Sequence, residues 1–65
     1  MSLFLPSNWV YVEYENGRTE NVANTDTLTE NEAGDFKEMW DTKLHKVVRV
    51  TLETSKRKVL KSFTY

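Results

Sequence analysis

The side chains that could carry chemistry are one histidine, ten carboxylates and a run of basic residues. His45 is the only histidine and the chain has no cysteine, whereas a transition-metal site needs several such ligands. The carboxylates of Glu30, Glu32, Asp35 and Asp41 lack the spacing of a calcium-binding loop. We therefore expect no metal ion and no cofactor, and we interpret His45 as a structural residue at the end of an element.

A catalytic site has little support in the sequence. The two glycines, Gly17 and Gly34, are too few and too far apart for a phosphate-binding loop. The carboxylates of Glu13 and Glu20 form a pair only across the exposed end of a predicted hairpin. Without a cleft that raises the pKa of one of them, they are solvated and do not form an acid/base dyad. We therefore expect a protein that is not an enzyme.

The charges divide the chain into an acidic and a basic part. Residues 1–41 hold nine acidic and two basic residues, a net charge of −7. Residues 42–65 hold seven basic residues and one acidic residue, a net charge of +6. The overall net charge of −1 therefore hides a strongly dipolar molecule, whose basic part could contact phosphates. The candidates for such contacts are Lys46, Arg49, Lys56, Arg57, Lys58 and Lys61.

The stretch WVYVEYENGRTENV predicts a first β-hairpin. Its first strand is rich in aromatic and β-branched residues, and Asn16-Gly17 is the dipeptide preferred in a two-residue turn. Such a turn places Tyr14 opposite Thr19 and Val12 opposite Asn21. The pattern then assigns Val10, Val12, Tyr14 and Ala23 to one face of the hairpin and Trp9, Tyr11 and Val22 to the other.

The middle of the chain predicts one amphipathic helix, from about Glu30 to Thr42. Thr29 and Glu32 have the spacing of a capping box, and Leu28 and Ala33 that of a hydrophobic staple. The apolar side is predicted to carry Ala33, Phe36, Met39, Trp40 and Leu44. The acidic side is predicted to carry Glu30, Asp35, Glu38 and Asp41.

The stretch VVRVTLETSKRKVLKSF predicts a second β-hairpin. A turn over residues 54–57 places Leu52 opposite Val59, Val50 opposite Lys61 and Val48 opposite Phe63. Those apolar residues then share one face, and only Lys61 is out of place. A lysine in that position can lay its stem along the sheet and keep its ammonium group in water.

These elements predict a small α+β domain in the order β-β-α-β-β. It spans residues 1–65, with an N-terminal arm (1–7), a first hairpin (8–24), a helix (29–43) and a second hairpin (46–64). The helix is expected to pack on one face of a four-stranded antiparallel sheet. The predicted core consists of Val10, Val12, Tyr14, Phe36, Trp40, Val48, Val50, Leu52 and Phe63.

The location and assembly follow from length and composition. No stretch approaches the ~20 apolar residues of a membrane span, and the N-terminal MSLFLPSN lacks the basic region of an export signal. We expect a soluble cytoplasmic protein without a membrane partner. Because one core of this size seldom supplies more than about 3–5 kcal/mol, a homodimer is one way to gain stability.

The sequence supports an interaction module better than a catalyst. Its protein-binding candidates are Trp9, Tyr11 and Val22 on an aromatic sheet face, and Glu30, Asp35, Glu38 and Asp41 on an acidic helix face. The sheet face is either covered by Leu3, Phe4 and Leu5 of the arm or open to a partner. In size and format the chain resembles small accessory proteins of phages, including some anti-CRISPR proteins, and this resemblance implies an accessory or inhibitor role. The alternative is nucleic-acid binding through the basic tip of the second hairpin.

Overall fold

The computed structural model describes residues 7–65 and confirms the predicted element order. The elements are β1 (Asn8–Tyr14), β2 (Thr19–Asn24), α1 (Glu30–Trp40), β3 (Val47–Thr54) and β4 (Val59–Thr64). The four strands form one antiparallel sheet in the order β2-β1-β3-β4, so β2 and β4 are its edges. The predicted cover of the aromatic face by Leu3, Phe4 and Leu5 lies outside the described residues.

The core lies between α1 and one face of the sheet. It contains Val10, Val12, Tyr14, Leu28, Ala33, Val47, Val50 and Leu52, with Phe36, Trp40, Phe63, Val22 and Ala23 packed against it. The prediction of Val48 as a core residue is wrong. The pairing of β1 with β3 shifts by one residue between Glu13 and Tyr14, so that Tyr14 pairs with Val47. This irregularity turns Val47 inward and leaves Val48 only partly buried.

The first hairpin has a three-residue loop in place of the predicted two-residue turn. The backbone amide of Tyr14 donates to the carbonyl of Arg18 at 2.8 Å, and Gly17 occupies the left-handed region with φ +88°. Val12 therefore pairs with Glu20, one residue from the predicted partner. A second shift, between Val10 and Tyr11, skips Val22. The predicted place of Val22 beside Trp9 and Tyr11 is wrong, because its side chain packs against the core.

The second hairpin is offset from its predicted register by two residues. Val50 pairs with Phe63, and Leu52 pairs with Lys61. The loop again has three residues, and the pairing shifts once more between Leu52 and Glu53. Each irregularity adds one residue to the offset, so the residues of β4 beyond the second shift, such as Phe63, keep their predicted face. Val59 lies between the two irregularities and is offset by only one residue. It therefore pairs with Glu53 on the face away from the helix, and its predicted place on the core face beside Leu52 is wrong.

The helix begins as predicted and ends earlier. The backbone amide of Glu32 donates to Thr29 Oγ1 at 3.2 Å, and the amide of Thr29 donates to Glu32 Oε1 at 2.9 Å, which confirms the capping box. The last helical residue is Trp40, and Asp41 has an extended ψ of 133°. Leu44 therefore lies beyond the helix and is 82% exposed, contrary to the prediction that it belongs to the apolar side.

Candidate functional site

The outward side of α1 carries carboxylates around an exposed methionine. Met39 was predicted to face the core, but its side chain is 71% exposed. Together with Asp35 and Glu38 it lines a shallow depression on the helix, and Glu30 is exposed on the first turn. We name this set, Glu30, Asp35, Glu38 and Met39, the acidic helix surface. It combines negative charge with an apolar side chain that the fold itself does not bury.

Asp41, the last candidate on the acidic side, has a structural role. Its Oδ2 forms an ion pair of 2.7 Å with Lys37, and its Oδ1 accepts a hydrogen bond of 2.8 Å from the amide of Val47. The ammonium group of Lys37, followed by that amide, lowers the pKa of Asp41 below its ordinary value of 3.8. Asp41 therefore ties the end of α1 to the start of β3.

The sheet face opposite α1 carries the predicted aromatic pair. Trp9 and Tyr11 are both half-buried. Trp9 pairs with Glu53, which pairs in turn with Val59 on the edge strand, where the valine is 52% exposed. The guanidinium carbon of Arg57 lies 4.0 Å from the ring centroid of Tyr11. One side of the tyrosine ring is therefore already occupied by a cation of the same chain.

A buried carboxylate organises this face. Glu53 is only 7% exposed although it lies on the side of the sheet away from the helix. Its Oε1 accepts a hydrogen bond of 2.6 Å from Arg57 Nε, and its Oε2 accepts one of 2.7 Å from the hydroxyl of Thr51. The hydrogen bond with Glu53 raises the pKa of Arg57 above its ordinary value. Arg57 is thus fastened to the sheet and does not extend from the hairpin tip.

The other basic candidates are divided between internal contacts and solvent. Arg49 forms an ion pair of 3.3 Å with Glu13, and Lys61 Nζ donates to the carbonyl of Leu28 at 3.2 Å. Lys46 precedes β3 and so lies at the opposite end of that strand from the tip. Among residues 7–65, Lys56 and Lys58 are therefore the tip cations without an ion pair.

A groove that the sequence did not predict lies between the first hairpin and the end of α1. Its volume is about 580 Å³, and its walls include the rings of Tyr14, Trp40 and His45. The rings of Tyr14 and His45 are 5.9 Å apart between centroids and inclined by 55°. Trp40 and Tyr14 were predicted as core residues, and no sequence signal marks the open space beside them. Only the fold brings His45 against Tyr14.

Hydrogen bonds fix both walls of this groove. The backbone amide of His45 donates to Thr42 Oγ1 at 2.9 Å, and the amide of Thr42 donates to the His45 carbonyl at 3.0 Å. The hairpin loop is joined to this turn through the amide of Glu15, which donates to the carbonyl of Lys46 at 2.9 Å. The side-chain nitrogens of Asn16 and His45 lie 3.4 Å apart. The groove is therefore formed before any ligand binds.

Two opposite charges line the groove. The hydroxyl of Tyr14 donates to Glu20 Oε2 at 3.2 Å, and burial followed by that hydrogen bond raises the pKa of Tyr14 above 10.0. Arg18 also lines the groove, and its guanidinium forms no ion pair with any of residues 7–65. The carboxylate and the guanidinium thus face the same space without pairing with each other.

The described part of the chain has neither a metal-binding cluster nor a membrane-spanning helix. No group of three or more potential ligands that could hold a metal ion occurs within residues 7–65. No helix in that range has the length and apolar character needed to cross a membrane. Comparison of the chain with protein-family models, curated proteins and solved structures gives no match.

Proposed function

We propose that this chain is a small non-enzymatic module that binds a protein partner through the acidic helix surface. The observation that carries the proposal is the exposure of Met39, which is 71% exposed between Asp35 and Glu38. An unbranched thioether is an adaptable contact for an apolar group of a partner. We infer that the partner presents an apolar side chain surrounded by basic residues.

The charges and the methionine would act at different stages of binding. Carboxylates at the rim of an interface steer a basic partner and speed association, but each contributes little to affinity. Affinity comes mainly from the few side chains that are fully desolvated at the centre. In this arrangement Asp35 and Glu38 would select the partner, and Met39 would hold it. Leu44, which follows the helix and is 82% exposed, would extend the apolar contact.

The contrast with the basic tip supports this assignment. The exposed side chains of Asp35 and Glu38 form no ion pair within residues 7–65, whereas Arg57 is held against the sheet. Two free lysines at the tip would release about two counterions on binding nucleic acid, which gives a shallow salt dependence. Nucleic-acid binding therefore remains the alternative, and treatment with nuclease distinguishes it from protein binding.

The test is capture of a partner from nuclease-treated lysate of the source cells by the tagged chain and its variants. The double change Asp35→Lys and Glu38→Lys should abolish capture at low salt. Met39→Gln should weaken capture without changing the charge, because it places an amide where the partner offers an apolar group. Circular dichroism should show an unchanged fold, since these three side chains are outside the buried core.

The matched controls change charges away from the helix. Glu15→Lys alters an exposed carboxylate on the first hairpin, and the double change Lys56→Ala and Lys58→Ala alters the tip. Both controls should capture the same protein as the unmodified chain. Loss of capture by the tip variant together with full capture by the helix variant would overturn the proposal.

A photo-crosslink can locate the contact directly. The chain has two methionines, so photo-methionine enters at Met1 and Met39. The unmodified chain should form a crosslinked product with the partner, and the Met39→Leu variant should capture the partner without the product assigned to residue 39. A product that persists unchanged in Met39→Leu would place the partner elsewhere.

We further propose that the module acts as an accessory or inhibitor protein, which would cover a working surface of its partner. Two copies of the chain could also associate, with the basic tip of one copy bound to the acidic helix surface of the other. Sedimentation at two salt concentrations separates these cases. Self-association that vanishes in Glu38→Lys would mean that the acidic helix surface serves a homodimer.

A further inference from the structure

The groove beside His45 has features of a site for a small ligand. Its volume of about 580 Å³ lies within the range of roughly 300–1,000 Å³ that is usual for ligand pockets. Ring side chains form much of its wall, and hydrogen bonds between the hairpin loop and the turn before β3 hold it open. The proposed binding of a protein to the acidic helix surface does not use this space.

The charges in the groove restrict the ligand. A purely anionic ligand would be attracted by Arg18 but repelled by the carboxylate of Glu20. A purely cationic ligand would be attracted by Glu20 but repelled by Arg18. Glu20 retains acceptor capacity, because the described hydrogen bond from Tyr14 engages only Oε2. Arg18 retains its side-chain donors, since within residues 7–65 its hydrogen bonds are made by its backbone amide and its backbone carbonyl. A ligand with both charges satisfies both residues.

The rings add a requirement for a flat apolar group. Tyr14 and His45 are inclined to each other at 5.9 Å between centroids, and Trp40 lines the same space. Aromatic rings prefer such offset or inclined neighbours and gain more from them than from an aliphatic side chain. The ligand should therefore carry an aromatic ring next to its two charges.

We propose that this groove binds an α-amino acid with an aromatic side chain. The ammonium group of the ligand meets Glu20, its carboxylate meets Arg18, and its ring packs among Tyr14, Trp40 and His45. An aromatic residue at either end of a peptide would offer the same ring but only one of the two charges. An N-terminal residue carries only the ammonium group, and a C-terminal residue carries only the carboxylate.

The experiment compares three probes by titration of backbone amide resonances in the full chain. L-phenylalanine carries both charges, L-phenylalaninamide models an N-terminal residue, and N-acetyl-L-phenylalanine models a C-terminal residue. L-phenylalanine should give saturable shifts at Arg18, Glu20 and His45. Each capped probe should bind about three- to tenfold more weakly, because one partly exposed ion pair is lost.

Two conservative variants assign the charges. Arg18→Gln should remove the preference for L-phenylalanine over L-phenylalaninamide, because the carboxylate then has no cationic partner. Glu20→Gln should remove the preference over N-acetyl-L-phenylalanine and still accept the hydrogen bond of Tyr14. The matched controls Glu15→Gln and Lys56→Gln change exposed charges outside the groove and should keep both preferences.

Three results would overturn the inference. No saturable shift with any probe would mean that the groove is not a site for this class of ligand. Equal binding of L-phenylalanine and one capped probe would assign the groove to the end of a peptide. Shifts that persist in both Arg18→Gln and Glu20→Gln with unchanged preferences would place the probe elsewhere. Partner capture through Met39 is measured independently and is not affected by these outcomes.

Discussion

The two hairpin loops share one backbone design but differ in the residue at the left-handed position. In each loop the last paired residues enclose three others, and the third of these has a positive φ. In the first loop this residue is Gly17, with φ +88°, and in the second it is Arg57, with φ 66°. Glycine adopts this conformation freely, whereas a residue with a Cβ is strained by it.

The difference shows that the conformation of the second loop depends on the side chain of Arg57. The guanidinium of Arg57 is fixed by Glu53 at 2.6 Å and by the ring of Tyr11 at 4.0 Å, and these contacts offset the backbone strain. The first loop needs no such contact, and its neighbours Arg18 and Glu20 remain available to the groove. A basic residue in a loop can therefore be structural, while nearby charges are free to bind.

The largest expected effect comes from removing the carboxylate that holds the second loop. Glu53→Ala should lower the free energy of unfolding by about 2 kcal/mol, because it leaves the buried hydroxyl of Thr51 without its acceptor. Urea unfolding followed by tryptophan fluorescence measures this loss. Glu13→Ala removes the more exposed ion pair with Arg49 on the same face and should cost about 0.5 kcal/mol or less. An equal cost for the two changes would contradict the role of Glu53.

The next effect tests the backbone of the first loop. Gly17→Ala should destabilise the chain by about 1 kcal/mol, because alanine is strained at a positive φ. A Cβ at this position has no heavy atom within 4 Å, so a steric clash would not contribute. Gly34→Ala is the matched control, since it also meets no neighbour but lies in α1, and it should stabilise the chain by up to about 1 kcal/mol. Destabilisation by both changes would exclude φ as the cause.

A comparison of two variants at Arg57 isolates the same strain in the second loop. Arg57→Gly and Arg57→Ala both remove the contacts with Glu53 and Tyr11, so they differ mainly in backbone preference. The glycine variant should have a melting temperature about 4–8 °C higher than that of the alanine variant. Equal melting temperatures would show that the second loop changes its conformation once the side chain is gone.

The smallest expected effect is a pH dependence of the free energy of unfolding that arises from Asp41. The folded pKa of Asp41 is below 3.8, so its stabilisation is fully present above that value. As the pH falls below 3.8, the unfolded chain takes up the proton first, and the stabilisation disappears as the pH passes the folded pKa. Asp41→Asn should therefore flatten the acid limb of the unfolding free energy measured between pH 7 and pH 2.5. A limb of equal slope in Asp41→Asn and the unmodified chain would contradict this assignment.

Much of the fold was predictable because its signals are local. The capping box needs only Thr29 and Glu32 at a fixed spacing, and the alternation of apolar residues in β1 specifies which face is buried. The register was less predictable, since loop length and single-residue irregularities change pairing without changing the composition of a strand. In β4 two irregularities left Phe63 on its predicted face but moved Val59 to the other face, and in β3 one irregularity exchanged Val48 for Val47 in the core.

The candidate binding surfaces required the tertiary structure for a different reason. The sequence by itself determined the element order, the acidic side of the helix and the dipolar distribution of charge, because these follow from residue types at short spacing. Only the tertiary structure decided that Met39 is exposed, that Arg57 is held by Glu53 and that His45 lies against Tyr14. Each of these depends on how far an element extends and on which distant residue comes beside it, and local patterns carry no information about such contacts.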